Sequence, residues 1–328
     1  MDELDRKNSL CEFNVYGIHE MHPILEGGEA NLENYNKKCQ KNPGHIKFVS
    51  LEQFAKKHLP FNCRSDELLQ LIKVLAGLTV RLAAAASSPD RPKCWPNTQI
   101  PYPWMDEKTR TGTGRIKDIH KYSKIQKHQQ YGSCPCQKCE KNRKNGKSGR
   151  EVWIEIEVYT AQHVIFDELE ARGASCRLFF DENDCQLFTI EVLNFADANI
   201  NEDWCLFNCV TCDPAIMDKL ENLMSDYRRL WRPTYEYFKS SRDDHRLVII
   251  VSHPHGCPKQ ISVGKWLERN QKGDSESKYI YTAATCSGSS GAAVYRLGYS
   301  GYLDFDRHVH GGTECNLNYS SIGLDDLD

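Results

Sequence analysis

The chain has 328 residues, 40% of them hydrophobic and 27% charged, with a formal net charge of −3. That length exceeds one small core and predicts two or three folding units of ordinary soluble globular composition. The net charge is too small to steer the whole molecule toward nucleic acid or an acidic membrane.

Residues 1–48 are polar and irregular, with Gly27-Gly28 and an Asn/Lys-rich stretch, and read as a loose arm. The opening MDELDRKNSLCEF is acidic where a signal peptide needs a basic start and an apolar run. Ser50, with Gln53 as capping-box partner, predicts a short helix. A second helix starts near Ser65, with Asp66 and Glu67 suited to its dipole. Leu68, Leu71, Ile72, Leu75 and Leu82 give it one apolar face, and Ser87-Ser88-Pro89 ends it. Gln70, Lys73, Thr79 and Arg81 interrupt this stretch, which falls short of the roughly 18-residue apolar run of a membrane span. The expectation is a cytoplasmic protein with no membrane partner.

Pro89, Pro92, Pro96, Pro101 and Pro103 form an extended connector that marks a boundary. The expected division is therefore an arm and helical extension over 1–105 and a second unit over 106–328. The texture then turns to strands. Val152, Ile154, Ile156 and Val158 alternate with Trp153, Glu155, Glu157 and Tyr159. Residues 176–180 and 187–192 look like strands, 247–251 like a buried strand, and 279–283 alternates again. One helix interrupts them. From Pro214, a good first helical residue, Ile216, Leu220, Leu223, Met224, Tyr227, Leu230 and Trp231 recur at spacings of three and four, ending by Ser240-Ser241. The layout is a β unit over 106–213, a helical connector over 214–240 and a second β unit over 241–320.

The chain holds 15 cysteines, an odd number that with no secretion signal favours free thiols or metal ligation over a disulfide framework. Cys134, Cys136 and Cys139 supply three thiolates where zinc wants four, with His128, His120 or a distant cysteine as the fourth. Cys209 and Cys212 have ligand spacing but read as small core hydrophobes. Structural zinc is the less favoured reading, and no other cofactor is expected. Lys138, Lys141, Arg143, Lys144, Lys147 and Arg150 surround these cysteines without aromatic interleaving, which reads as a solvated insertion and not as a nucleic-acid surface.

Three local motifs carry chemistry: Thr160-Ala161-Gln162-His163 after a predicted strand, Asp203-Trp204-Cys205-Leu206, and Gly288-Ser289-Ser290-Gly291. A serine hydroxyl needs an adjacent base, histidine suits that task near neutrality, and a buried carboxylate fixes the imidazole tautomer. Glycines beside the serine allow a tight turn that aims the N–H groups of Gly288 and Ser290 at one spot, as an oxyanion hole requires. Asp197 and Asp213 are alternatives to Asp203, although Asp213 beside Pro214 has a plain helix-capping role.

In this order, 40 and 87 residues apart, the motifs resemble those of the trypsin-like (chymotrypsin-fold) serine peptidases, over roughly residues 110–320. Residues Val251 to Gly256, followed by Gln260 to Gly264, resemble a hairpin of the intracellular, bacterial-type branch, and Thr111 to Gly114 the small-residue opening strand of its first barrel. The resemblance implies a mainly β fold, two six-stranded antiparallel barrels, with the N-terminal helical extension and the helical connector added to it. It implies a serine endopeptidase acting on peptide or protein substrates through His163, Asp203 and Ser290. Ser289 replaces the aspartate of secreted trypsins, so zymogen activation of that kind is not expected. Ala284 occupies the position of the trypsin pocket's acid, which argues against an Arg/Lys preference. His310, Gly311 and Gly312 fall on the pocket's back wall, where a histidine implies Glu or Gln before the cut; the other reading is a His- and Gly-rich surface loop. Ala292-Ala293 replaces Gly-Pro after the nucleophile. The alternative function is accordingly a protein-binding module of the same fold, inactive through this change or through an N-terminal arm across the cleft.

Overall fold

A computed structural model describes residues 18–23, 37–85, 87–103, 109–123, 131–186, 188–272, 275–299, 307–314 and 316–325. The elements run β1 (His22–Pro23), β2 (Phe48–Ser50), α1 (Asp66–Gly77), β3 (Thr79–Ala84), β4 (Arg110–Ser123), α2 (Gln137–Lys144), β5 (Val152–Thr160), α3 (Glu168–Arg172), β6 (Ala174–Leu178), β7 (Phe188–Asn199), β8 (Trp204–Thr211) and α4 (Pro214–Phe238). They continue with β9 (Leu247–Ser252), β10 (Gln260–Gln271), β11 (Glu276–Tyr281), β12 (Val294–Arg296), β13 (His310–Glu314), β14 (Leu317–Ser320) and β15 (Gly323–Leu324).

The chain is mainly β. Strands β4-β3-β6-β7-β8-β5 form a closed six-stranded antiparallel barrel, with β4 pairing β5 to complete the ring and β1 added on β4. The second sheet runs β12-β9-β10-β11-β14-β13, with β2 on β10 and β15 on β11. Its ends are drawn together where Ala293 bridges Val309 and where the His310 N–H donates to Ala292 O at 2.7 Å.

The period-two pattern of β5 explains its place. Ile154, Ile156 and Val158 are buried in the barrel core, while Trp153 on the other face packs over Cys134, Cys136 and Cys139. Each fully buried aliphatic chain contributes about 1.5–3 kcal/mol. All six residues of β9 are buried, as its unbroken apolar run predicts. In α4, Asp213 caps the N–H groups of Ala215 and Ile216 ahead of Pro214, and Ile216, Leu220, Met224, Tyr227 and Trp231 are buried. Gly77 lets α1 approach this helix, since a Cβ there would lie 2.7 Å from Leu223 Cδ2.

Three sequence expectations need correction. The apolar face through Leu82 predicts one helix to the Ser87-Ser88-Pro89 stop, but α1 ends at Gly77. Residues 79–84 instead form a strand between β4 and β6, where pairing on both edges outweighs helical spacing. Around Ser50 the predicted helix is a strand end followed by a turn; the Gln53 N–H does point at Ser50 Oγ, at 3.4 Å, but β2 is held by pairing with β10. Consequently the 105/106 boundary does not separate an extension from the barrels, because β3 builds the first barrel and β2 lies on the second sheet. No helix among the described residues is long and apolar enough to cross a membrane.

Candidate active site

His163 lies in the turn after β5 and Asp203 just before β8, neighbouring strands of the first barrel. Asp203 holds a left-handed backbone, φ +57°, a strained conformation for a non-glycine residue. Its carboxylate accepts twice from His163, at 3.1 Å from the backbone N–H and at 2.8 Å from ring Nδ1. With Nδ1–H directed at the carboxylate, Nε2 is left buried, with no hydrogen-bond partner among the described residues. The alternatives are engaged elsewhere: Asp213 caps α4, and Asp197 accepts from the Ala198 N–H.

A buried ionic cluster holds the His163 turn. Glu170, in α3, accepts from Arg91 Nε at 2.6 Å, from an Arg110 guanidinium N–H at 2.5 Å, and from the backbone N–H groups of Ser88 and Phe166 at 2.8 Å each. Arg91 donates onward to His163 O and Arg110 to Val164 O, both at 3.0 Å. No sequence signal marks these three residues as a unit.

Ser290 sits on the loop between β11 and β12. Gly288 and Gly291 take φ of +96° and +85°; a Cβ on Gly291 would lie 2.0 Å from Thr160 Oγ1, and one on Gly288 2.5 Å from His253 O. Only glycine fits such approaches. Thr113 and Gly112 of β4 brace the loop: the Thr113 N–H donates to Ser290 O at 2.8 Å, and a Cβ on Gly112 would lie 3.1 Å from the same carbonyl. Ser289 is buried, its hydroxyl 3.1 Å from Ser252 Oγ and accepting from the Cys286 N–H. The hydroxyl is satisfied inside the second sheet.

The cleft between the sheets is filled by residues 18–23. Ile18 exchanges two backbone hydrogen bonds of 2.8 Å with Thr313. The His19 ring lies 4.2 Å from the His163 ring, and its Nδ1 donates to Gly311 O at 2.8 Å. Glu20 O accepts from the N–H groups of Gly288 at 2.5 Å and Ser290 at 3.2 Å, while the Glu20 N–H lies 2.9 Å from Ser290 Oγ. Beyond it, Ser287 Oγ donates to Met21 O at 2.6 Å, and His22 pairs with Thr111.

The Glu20 side chain enters a pocket in the second sheet. Its carboxylate accepts from His310 Nε2 at 2.7 Å and from Lys41 Nζ at 2.6 Å. Lys41 also reaches Thr285 Oγ1 and Asn318 Oδ1, both at 2.9 Å, and Tyr281 Oη lies 2.6 Å from His310 Nδ1. Burial alone would raise the Glu20 pKa, but His310 and Lys41 outweigh it and hold the carboxyl at about 2. Burial pushes His310 down, against the opposing pull of Glu20, and pushes Tyr281 well up. Glu20 is thus ionised, with the Lys41 ammonium beside it and the His310 Nε2–H donating to it. Burial and the nearby His163 also lower His19, to about 3, leaving it neutral.

The cleft thus brings His163, Asp203, Gly288, Ser290, His310, Gly311 and Gly312 around one extended segment, and a Cβ on Gly312 would strike Ile18 O at 2.6 Å. Ala284 is buried, with its carbonyl on Ser262 Oγ, while its neighbour Thr285 meets Lys41. Sequence reasoning missed Glu20, Lys41, Thr285, Asn318 and Tyr281.

Cys39, Cys134, Cys136, Cys139, Cys212 and Cys286 are free thiols, and two groups of ligand atoms converge. Cys134, Cys136, Cys139 and Cys212 lie with their sulfurs within 4.8 Å of one another, Cys212 being 3.8 Å from Cys136 and 3.7 Å from Cys139. A tetrahedral Zn–S₄ site has S···S edges of about 3.8 Å. The N–H groups of Cys139 and Arg150 point at sulfurs of the group, at 3.4 and 3.3 Å. The fourth member is therefore Cys212 and not His120, which bonds Glu157; His128 lies outside the described residues. Cys209 is in the barrel core, but Cys212 is turned out of it. In the second group, Cys39, His45, His255 and Cys286 likewise fall within 4.8 Å.

No protein-family model matches this chain, and no curated protein does. Among solved structures it is similar to the Rv3671c protease in an inactive form, at a TM-score of 0.34 and 12% identity, covering 78% of this chain and 90% of that one. A serine-to-alanine mutant of Rv3671c from M. tuberculosis H37Rv, also inactive, gives 0.35 and 10%, with 78% and 84% covered. Likeness of that degree does not bear on activity.

Proposed function

We propose that the chain is a serine endopeptidase of trypsin-like fold, with Ser290 as nucleophile, His163 as general base and Asp203 as its orienting partner. The observation that carries this reading is the convergence of the Gly288 and Ser290 N–H groups on one carbonyl oxygen beside the Ser290 hydroxyl. In the reaction the Ser290 proton passes to His163 Nε2 and then to the leaving amine. The tetrahedral oxyanion rests on the two N–H groups, and water then hydrolyses the acyl-enzyme with His163 as base. No cofactor enters these steps.

Specificity for Glu before the cut rests on His310, with Lys41 as the balancing cation. The test is hydrolysis of a peptide library by the full chain carrying Glu20→Ala, which removes the side chain that fills the pocket. Cleavage after Glu is expected, absent in the same chain with Ser290→Ala. His310→Ala should reduce the Glu preference about 10- to 100-fold, the usual worth of a hydrogen bond to a charged group. A profile unchanged by His310→Ala would refute the pocket, and no cleavage at all would refute the peptidase reading.

We also propose a structural zinc held by Cys134, Cys136, Cys139 and Cys212, which would tie α2 to the end of β8. Metal analysis of protein purified without added zinc should show one equivalent fewer per chain in Cys212→Ser than in the parent; equal content would refute the site.

A further inference from the structure

We propose that the protein cleaves its own chain between Glu20 and Met21. The inference rests on the peptidase reading and goes further, naming a substrate sequence and the bond cut. Residues 18–23 do not merely cover the cleft. They run extended through it, paired with Thr313 on one side of Glu20 and with Thr111 on the other. Among the described residues only Glu20 offers its carbonyl to both N–H donors, and the same residue's side chain fills the pocket. A segment that only blocked the cleft would make the same two hydrogen bonds, so the cut itself is what distinguishes a substrate from a plug.

The step balances as a hydrolysis. Ser290 Oγ adds to the Glu20 carbonyl carbon, and its proton goes to His163 Nε2. The Glu20–Met21 C–N bond then breaks, and that proton passes to the Met21 nitrogen, which becomes a new amino terminus. Water adds to the Glu20 ester, gives one proton to His163, and releases Glu20 as a carboxylic acid while Ser290 recovers its hydrogen. Because nucleophile and bond lie on one chain, the rate should not depend on protein concentration.

Lys41 lies on the carboxyl-terminal side of the cut, so it stays with the protein after residues 1–20 separate. A cation at the pocket then favours Glu over the isosteric Gln in later substrates.

The experiment is intact-mass and N-terminal analysis of the full chain, with Ser290→Ala and Glu20→Ala beside it. The expected result is a terminus at Met21 in the parent and an uncut chain in both variants. An uncut parent overturns the proposal. If Glu20→Ala nevertheless hydrolyses Glu peptides, the peptidase reading survives that loss; if it hydrolyses nothing, both fall. A parent cut only at another bond also overturns it. Glu20→Gln should slow the cut about 10- to 100-fold and Lys41→Met should narrow that gap.

A separate observation carries a second site. We infer that Cys39, His45, His255 and Cys286 bind zinc beside the cleft. The sulfurs of Cys39 and Cys286 are 3.5 Å apart, the Nε2 atoms of His45 and His255 3.2 Å, and Cys286 Sγ to His45 Nε2 3.6 Å. A tetrahedral Cys₂His₂ zinc has edges of about 3.8, 3.3 and 3.6 Å for these pairs. Such an ion would fasten residues 39–45, and Lys41 with them, to the loop that leads to Ser290. Parent protein should carry two zinc equivalents, His45→Ala one, and Cys212→Ser one. Should His45→Ala not fold, cobalt added to zinc-free Cys212→Ser should give the visible bands of a tetrahedral site. Zinc content unaltered by His45→Ala, no cobalt spectrum, or a Cys39–Cys286 disulfide in fresh protein would overturn it.

Discussion

Asp203→Asn, made in the full chain with Glu20→Ala, should lower kcat/KM for a Glu peptide by about 10⁴-fold while leaving the fold intact. The carboxylate does two things in one residue, accepting from the His163 backbone N–H and from its ring. An amide can keep the first bond. Opposite Nδ1, however, its NH₂ stabilises the tautomer with hydrogen on Nε2, and that nitrogen can no longer take the Ser290 proton. Asparagine tolerates the left-handed backbone at 203 at least as well as aspartate, so the loss should fall on kcat and not on stability. A loss under about tenfold, with an unchanged melting temperature, would mean that the ring is oriented by something else.

Glu170→Ala should cost about 3–5 kcal/mol of folding stability, a large part of the roughly 5–15 kcal/mol that holds a domain together. The cost is not the loss of favourable pairs as such. Arg91 and Arg110 would remain buried with no carboxylate between them, and the carbonyls of His163 and Val164 would be held by two mutually repelling cations. The pH dependence has a definite sign. Burial would raise the Glu170 pKa, but the two guanidinium groups outweigh it and depress it. A depressed folded-state pKa adds stability above the unfolded carboxylate value of about 4.3, and that stability disappears as pH falls through the folded value. Urea unfolding should therefore show the parent weakening below about pH 4.3, with a shallower slope in Glu170→Gln. Equal slopes in parent and variant would contradict the network.

What the sequence made legible was local. The motifs around His163, Asp203 and Ser290 are each a few residues long, and β5, β9 and α4 announce themselves by period or by an unbroken apolar run. Long-range partners leave no such trace. Glu20 meets His310 across 290 residues and Lys41 meets Asn318 across 277, so nothing in the polar arm distinguishes Glu20 from its neighbouring acids. Cys212 joins Cys136 across 76 residues, and its near neighbour Cys209 with ligand spacing points to the core instead. Residues 79–84 could satisfy either a helical face or a strand, and only the two partner strands decide between them. The resemblance implies that His310 lines a pocket; the structure sets its ring against the Glu20 carboxylate, a partner that no local signal marks.

The most direct measurement is covalent labelling of the full chain carrying Glu20→Ala with a fluorophosphonate, followed by peptide mapping. The account predicts a single modified residue, Ser290, and no label once His163 is also replaced by alanine. Folded protein in which Ser290 stays unmodified, or in which modification survives the loss of His163, would contradict the catalytic reading.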